Sequence, residues 1–356
     1  MELELQTTAG DIHVTPAVII PRLPFWIKVT TLTSCALSIL GSALIIVTFF
    51  AWKDIRTTSR RLLVFLSLTD FWTAIALFYG VYTDFVDSSV DCIAQSIVST
   101  FMGTSSFFWT VSIAIYLYIT IVKTDTQLAG SLTKYFHVVS WGVPLAVVAC
   151  AAGLQKLGYD RSEVSVGWCW VKLTTPDIAD NLLWMLLTGK LWEILAYFIL
   201  PALYIAMKRH IYAQGRAQDC YRFQRSAVAA MVKVDRKLTF IPLVFVLLRL
   251  WSTVRFVLTL TGSSAVNNPV LLVLHGIGNT FQGGANCILF CLCTEKIRNK
   301  LLPRMPCGSC SSCCSCQGAA CCSFLRLKLQ GPKYVLQIEA NGCVDREDEP
   351  LLSENL

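Results

Sequence analysis

Charge is what this chain has least of. Only 15% of its 356 residues are Asp, Glu, Lys or Arg, against about a quarter in soluble globular domains. At the same time 54% are hydrophobic and the mean hydropathy is +0.57. That balance excludes a water-soluble globule. Histidine is scarce, with four in the chain, and none stands near the cysteine-rich segment at zinc-ligand spacing, so neither a metal nor a cofactor is expected. There is no Asn-x-Ser/Thr sequon, so N-glycosylation is not expected. Nothing resembles a catalytic constellation, which argues against an enzyme. No basic stretch and small-residue cleavage site precede the first apolar run, so no signal peptide is expected. The last long apolar run contains no lysine, which a retinal pigment would need.

What is present is a series of seven apolar runs, at 25–52, 62–86, 93–122, 133–155, 181–207, 238–261 and 270–293. Each is close to the roughly 20 residues that a membrane-crossing helix requires. The expected fold is an all-α membrane protein, a seven-transmembrane-helix bundle with a short amphipathic eighth helix. The expected division is a short extracellular N-terminus at 1–23, the bundle at 24–293, an amphipathic juxtamembrane helix at 294–304 and a tail at 305–356. The third run is the most polar, with Ser96, Ser99, Thr100, Thr104, Ser105, Ser106, Thr110 and Ser112 and no charge between Cys92 and Lys123. Small hydroxyl residues suit helix–helix packing better than lipid, so this run is expected at the centre. Lys and Arg cluster in alternate connections: Lys53 to Arg61, Lys123 and Lys134, 208–237, and 296–304. The positive-inside rule puts these in the cytoplasm and the N-terminus outside, in a multi-pass plasma-membrane protein. The net charge of +7 then reflects topology and attraction to anionic lipid, not nucleic acid.

Ionisable residues inside the runs are costly and face the bundle interior. Asp70 is expected near mid-membrane, either as a packing hydrogen bond or as a conformational or ion switch. Lys190 and Glu193 are three apart on one helix face. Counted from the outer ends, Glu193 and Arg249 lie at equal depth, roughly 18 Å at ~1.5 Å per residue. They are expected to pair across two helices, with Lys190 as the competing partner on Glu193's own helix. Cys169 is the only cysteine in an outer connection and Cys92 the only one at an outer helix end. An oxidising exterior favours their pairing as a disulfide. The cluster Cys307, Cys310, Cys313, Cys314, Cys316, Cys321 and Cys322 follows a basic amphipathic segment, which favours palmitoylation over metal binding. In the acidic tail, Glu347, Leu351 and Leu352 match the acidic-dileucine pattern read by clathrin adaptors.

Five short motifs in chain order carry a resemblance. Phe108-Trp109 with Tyr116-Leu117, Trp141-Gly142-x-Pro144, Cys169-Trp170, Leu238-x-x-Ile241-Pro242-Leu243, and Phe281-Gln282-Gly283 with Cys291 resemble the helix signatures of secretin-like G-protein-coupled receptors. The FLSLTD segment ending at Asp70 resembles instead the cyclic-AMP and rhodopsin-like receptors. The resemblance implies a receptor that transmits an extracellular signal to a heterotrimeric G protein. Lys123, Arg236 and Lys237 would face that G protein, and Asp70, Pro242, Gln282 and Gly283 would form the conformational switch. The ligand pocket would involve Trp109, Lys190, Glu193, Arg249, Arg255, His275 and Asn279, a cationic set suited to a small polar or anionic ligand. The chain departs from the secretin-like pattern at the inner polar lock: Ile113 stands for a glutamate, Lys237 for a threonine, Phe290 for a tyrosine and Phe65 for a histidine. The alternative is a seven-helix transporter or channel in which the intramembrane charges line the path.

Overall fold

The computed structural model describes residues 23–160, 164–173, 178–217, 240–292 and 294–301. They form a helical bundle. Helices α1 (Phe25–Ala51) and α2 (Thr58–Thr83) pack side by side, and α3 (Val90–Tyr118) continues through a π turn at Ile119–Lys123. A short α4 (Thr126–Ser131) leads into α5 (Thr133–Gly153). Helix α6 (Ile178–Met185) passes through a π turn at Leu186–Lys190 into α7 (Leu191–Ala217). Helix α8 spans Ile241–Leu260, α9 Pro269–Thr280 and α10 Gln282–Cys287, the last followed by a π turn at Ile288–Leu292 and by α11 (Glu295–Leu301).

Six of the helical stretches are long and apolar enough to cross a membrane. The run expected as a seventh span is instead two shorter apolar helices, α9 and α10 with its π turn, which meet at Phe281. Its glycines explain the tight packing there. A Cβ on Gly278 would stand 2.1 Å from the Leu248 carbonyl of α8, and one on Gly283 would stand 2.0 Å from the Ser42 hydroxyl of α1.

Helix starts follow local chemistry. Thr57 caps α2 by accepting from the Arg60 amide at 3.3 Å, Ser89 caps α3 through the Cys92 amide at 3.3 Å, and Asn268 caps α9 ahead of Pro269. Helix α2 stops at Asp84, which adopts a left-handed conformation and pairs with Lys28 of α1. Helix α7 runs about ten residues past the end of its apolar run, because helix continues where hydropathy no longer marks it.

Helix α3 lies at the centre and touches α2, α5, α7 and α8, as its hydroxyl-rich sequence implies. Ser96, Thr104, Ser105 and Thr110 are all buried. Large apolar side chains such as Leu40, Phe198 and Leu247 are exposed on the outward faces, as lipid-facing residues are. A two-stranded hairpin, β1 (Leu157–Gly158) with β2 (Trp170–Val171), was outside the all-α expectation. It holds the connection between α5 and α6 against α3.

Candidate functional site

The α5–α6 connection folds into the mouth of the bundle. Cys169 is bonded to Cys92 at the start of α3, with Cα atoms 5.6 Å apart. The Cys169 amide also donates to Gln95 Oε1 at 2.8 Å. On the other side of the mouth, Arg255 Nη1 donates to the Val164 and Ser165 carbonyls at 2.8 and 2.5 Å. Trp168 packs edge-on against His275 with centroids 5.7 Å apart. The connection is thus tied to α3 on one side and to α8 and α9 on the other.

Beneath it lies a cavity of about 80 Å³, lined in part by Thr73, Thr100, Phe107, Lys190, Glu193, Arg249, His275 and Asn279. The π turn before α7 shapes one wall. Such a turn leaves backbone groups out of the regular ladder, and the Thr188 carbonyl accepts from Thr104 of α3 at 2.9 Å. Lys190 closes this turn and donates to Glu193 Oε2 at 2.9 Å and to Ser252 of α8. Glu193 Oε1 accepts from Tyr197 and Thr253 at 2.6 and 2.5 Å. Arg249 donates to Asn279 Oδ1 at 3.1 Å, and its guanidinium lies 4.8 Å from the Phe107 ring centroid.

The cross-helix Glu193–Arg249 pair expected from depth is therefore overturned: Lys190 takes the carboxylate. The partner is three residues away on the same face and needs no second helix. The depth count also passed through the π turn, which alters the rotation and rise on which it relied. Trp109 is likewise not at the cavity. It is fully buried towards the other end of the bundle, stacked on Phe65 at 5.1 Å and packed against His137 and Trp141. Nor does Arg255 line the cavity; loop carbonyls occupy its guanidinium. Lys190, Glu193, Arg249, His275 and Asn279 do line it.

From Arg249 a polar chain runs through Asn279 to His275 and on to Arg255. Asn279 Nδ2 stands 2.9 Å from His275 Nε2, and Arg255 Nη1 stands 3.3 Å from His275 Nδ1. Donors sit at both ends. If Nδ1 accepts, Nε2 carries the proton and Asn279 must turn its carbonyl to it, away from Arg249. If Nε2 accepts, the Nδ1 proton points at a guanidinium. Either arrangement is one acceptor short.

One turn below the cavity is a second polar knot. Asp70 accepts from Ser106 at 2.8 Å and from Asn286 at 3.0 Å, and Gln282 donates to Ser106 at 3.0 Å. Helices α2, α3 and α10 meet here. The Gly283 amide donates to Ser38 of α1 at 3.0 Å. Pro242 is buried in the first turn of α8, apart from this knot. Lys123 is exposed at the end of the bundle opposite the disulfide. Ile113 and Phe290 are buried in one apolar cluster, with Phe65 packed against it. Arg236, Lys237, the cysteines Cys307–Cys322, Glu347, Leu351 and Leu352 lie outside the described residues.

Sequence reasoning missed Phe107, Ser252, Tyr197, Thr253 and Asn286, and placed Thr100 and Ser106 only among the packing hydroxyls of α3. Helical spacing carried the signal for three of them. Tyr197 is four residues after Glu193, Ser252 three after Arg249, and Asn286 four after Gln282, so each shares a face with a residue already singled out.

The chain is 54% identical over 284 residues to G-protein coupled receptor 157 of Mus musculus, covering 78% of this chain and 84% of that protein. It is 54% identical over 279 residues to the Homo sapiens protein of the same name, covering 77% and 82%. It is also 32% identical over 175 residues to Cyclic AMP receptor-like protein A of Dictyostelium discoideum, covering 49% and 43%. These relatives are receptors rather than enzymes. The profile of the 7 transmembrane receptor (Secretin family) matches residues 25–285, and the chain belongs to that family.

Proposed function

We propose that the protein is a plasma-membrane receptor that senses a ligand in the cavity at its disulfide end and activates a heterotrimeric G protein at the opposite, basic end. In this reading the N-terminus is extracellular, the C-terminus is cytoplasmic, and α9 with α10 forms a broken seventh span. The observation that carries the reading is the stacking of the two polar layers. Thr73 and Asn279 line the cavity. Asp70 and Gln282, each three residues away along the chain, belong to the knot below. A shift at the cavity wall would reach the Asp70 knot through one turn of α2 and through the Phe281 break. The knot joins three helices, and two arrangements of such a junction are what a ligand needs in order to shift a population. The apolar packing around Ile113 and Phe290 would close the G-protein end in place of a polar lock. Family membership disfavours the transporter reading.

The test is second-messenger output in cells expressing the full chain, with ion flux through reconstituted vesicles measured in parallel. Output above mock-transfected cells without flux is expected. Arg236→Ala with Lys237→Ala is expected to lower output at unchanged surface level, and unaltered output in that double variant would remove these residues from the coupling surface.

A further inference from the structure

We propose that the cavity under the α5–α6 connection binds a short-chain monocarboxylate anchored on Arg249. The inference uses the receptor reading only for what binding would trigger.

Charge comes first. The lining carries Lys190 and Arg249 against Glu193, which leaves one net positive charge. Lys190 is already held by Glu193 and Ser252. Arg249 forms no ion pair among the described residues, although it is only 7% exposed. Glu193 and Asp70 act on its charge through space but make no direct ion pair with it, and an anion brought by a ligand would add the direct contact and lower the cost of burying the guanidinium. An amine would instead meet two cations and a carboxylate that already has three donors.

Hydrogen bonding points the same way. Arg249 Nε and the Thr100 hydroxyl are both buried, neither has a hydrogen-bond partner among the described residues, and both residues line the cavity. The chain from Arg249 through Asn279 and His275 to Arg255 lacks one acceptor. A carboxylate on Arg249 supplies it: Asn279 Oδ1 can then turn to His275 Nε2–H, and Nδ1 is left to accept. Carboxylate on guanidinium is a charge-assisted contact with two parallel bonds available.

Size sets the class. At roughly 10–15 Å³ for each water, 80 Å³ has room for about five to eight waters. That admits an acid of about six heavy atoms and excludes a nucleotide or peptide. Leu77, Phe107 and Trp168 provide the apolar wall for the alkyl end.

Sodium butanoate is the probe. Purified full-length receptor in nanodiscs is heated with butanoate, with sodium chloride at equal ionic strength, or with butanamide. Saturating butanoate is expected to raise the unfolding midpoint by about 3 °C over chloride, and butanamide is expected to do nothing. Arg249→Gln should abolish the shift. Gly103→Leu should abolish it too without touching a charge: a Cβ at Gly103 meets nothing nearer than Thr73 Cγ2 at 3.9 Å, so the longer side chain enters the cavity. No shift in the wild-type protein, an equal shift with butanamide or chloride, or a shift that survives in both variants overturns the proposal. Nucleotide exchange on added G protein, read in the same preparation, separates the two readings. A butanoate shift without exchange keeps the anion site and refutes coupling. Exchange without a butanoate shift refutes the anion site and keeps coupling.

Discussion

Lys190 and Glu193 should couple strongly and lose unequally when separated. Both are nearly inaccessible, with side chains 5% and 3% exposed. Breaking a buried pair by removing one partner costs about 3–5 kcal/mol, because the survivor keeps its desolvation penalty. The survivors differ here. Glu193→Gln leaves the buried Lys190 ammonium with no counter-charge, held by Ser252 and at most an amide oxygen, so the loss should be near 4 kcal/mol. Lys190→Met leaves a carboxylate still bound by Tyr197 and Thr253. Two charge-assisted bonds survive there, and the loss should be nearer 2 kcal/mol. The double variant removes both charges and should fall about 2–3 kcal/mol short of the sum of the singles. Unfolding of purified receptor in mixed micelles measures all four corners of the cycle. Additivity to within about 0.5 kcal/mol would refute the pair. The charge exchange Glu193→Arg with Arg249→Glu should give no rescue, and restored stability there would return Arg249 to the role of partner.

Three further outcomes are expected. Cys92→Ser opens a loop whose ends are 77 residues apart, which loop-closure entropy values at about 4.5 kcal/mol; surface expression should fall sharply, and mass mapping of the native protein should find the two cysteines linked. Asp70→Asn removes the charge of the knot and makes one of its two acceptors a donor, so that Ser106 must reverse its hydrogen bond and accept instead; stability should drop by about 1 kcal/mol and basal second-messenger output should change, while unchanged values would reduce the knot to passive packing. Gly278→Ala should block surface expression, since its Cβ would sit 2.1 Å from a backbone carbonyl that cannot rotate away, whereas Gly103→Ala, with 3.9 Å of clearance, should be expressed normally.

Legibility followed the range of the interaction. The six long helices and the central place of α3 were readable, because apolar length and hydroxyl content are properties of one segment at a time. The broken seventh run was not. Its apolar ends flank a polar, glycine-rich middle, HGIGNTFQGGAN, which permits bending, but the place of the break at Phe281 depends on how closely Gly278 and Gly283 approach α8 and α1. The charged site divides along the same line. That Lys190, Glu193 and Arg249 face inward follows from the cost of exposing them to lipid. Which of them pair depends on the π turn at Leu186–Lys190, which nothing in LLTGK announces. Trp109 shows the converse case. Its place in a receptor-like motif suggested a pocket wall, but the ring found Phe65, His137 and Trp141 instead. Arg249 and Arg255, six residues apart on one helix, illustrate how local chemistry then divides the labour. Arg255 is spent on loop carbonyls and holds the cover in place. Arg249 reaches the side-chain carbonyl of Asn279 and the face of Phe107 and makes no ion pair among the described residues, which is why the proposed anion site is centred on it.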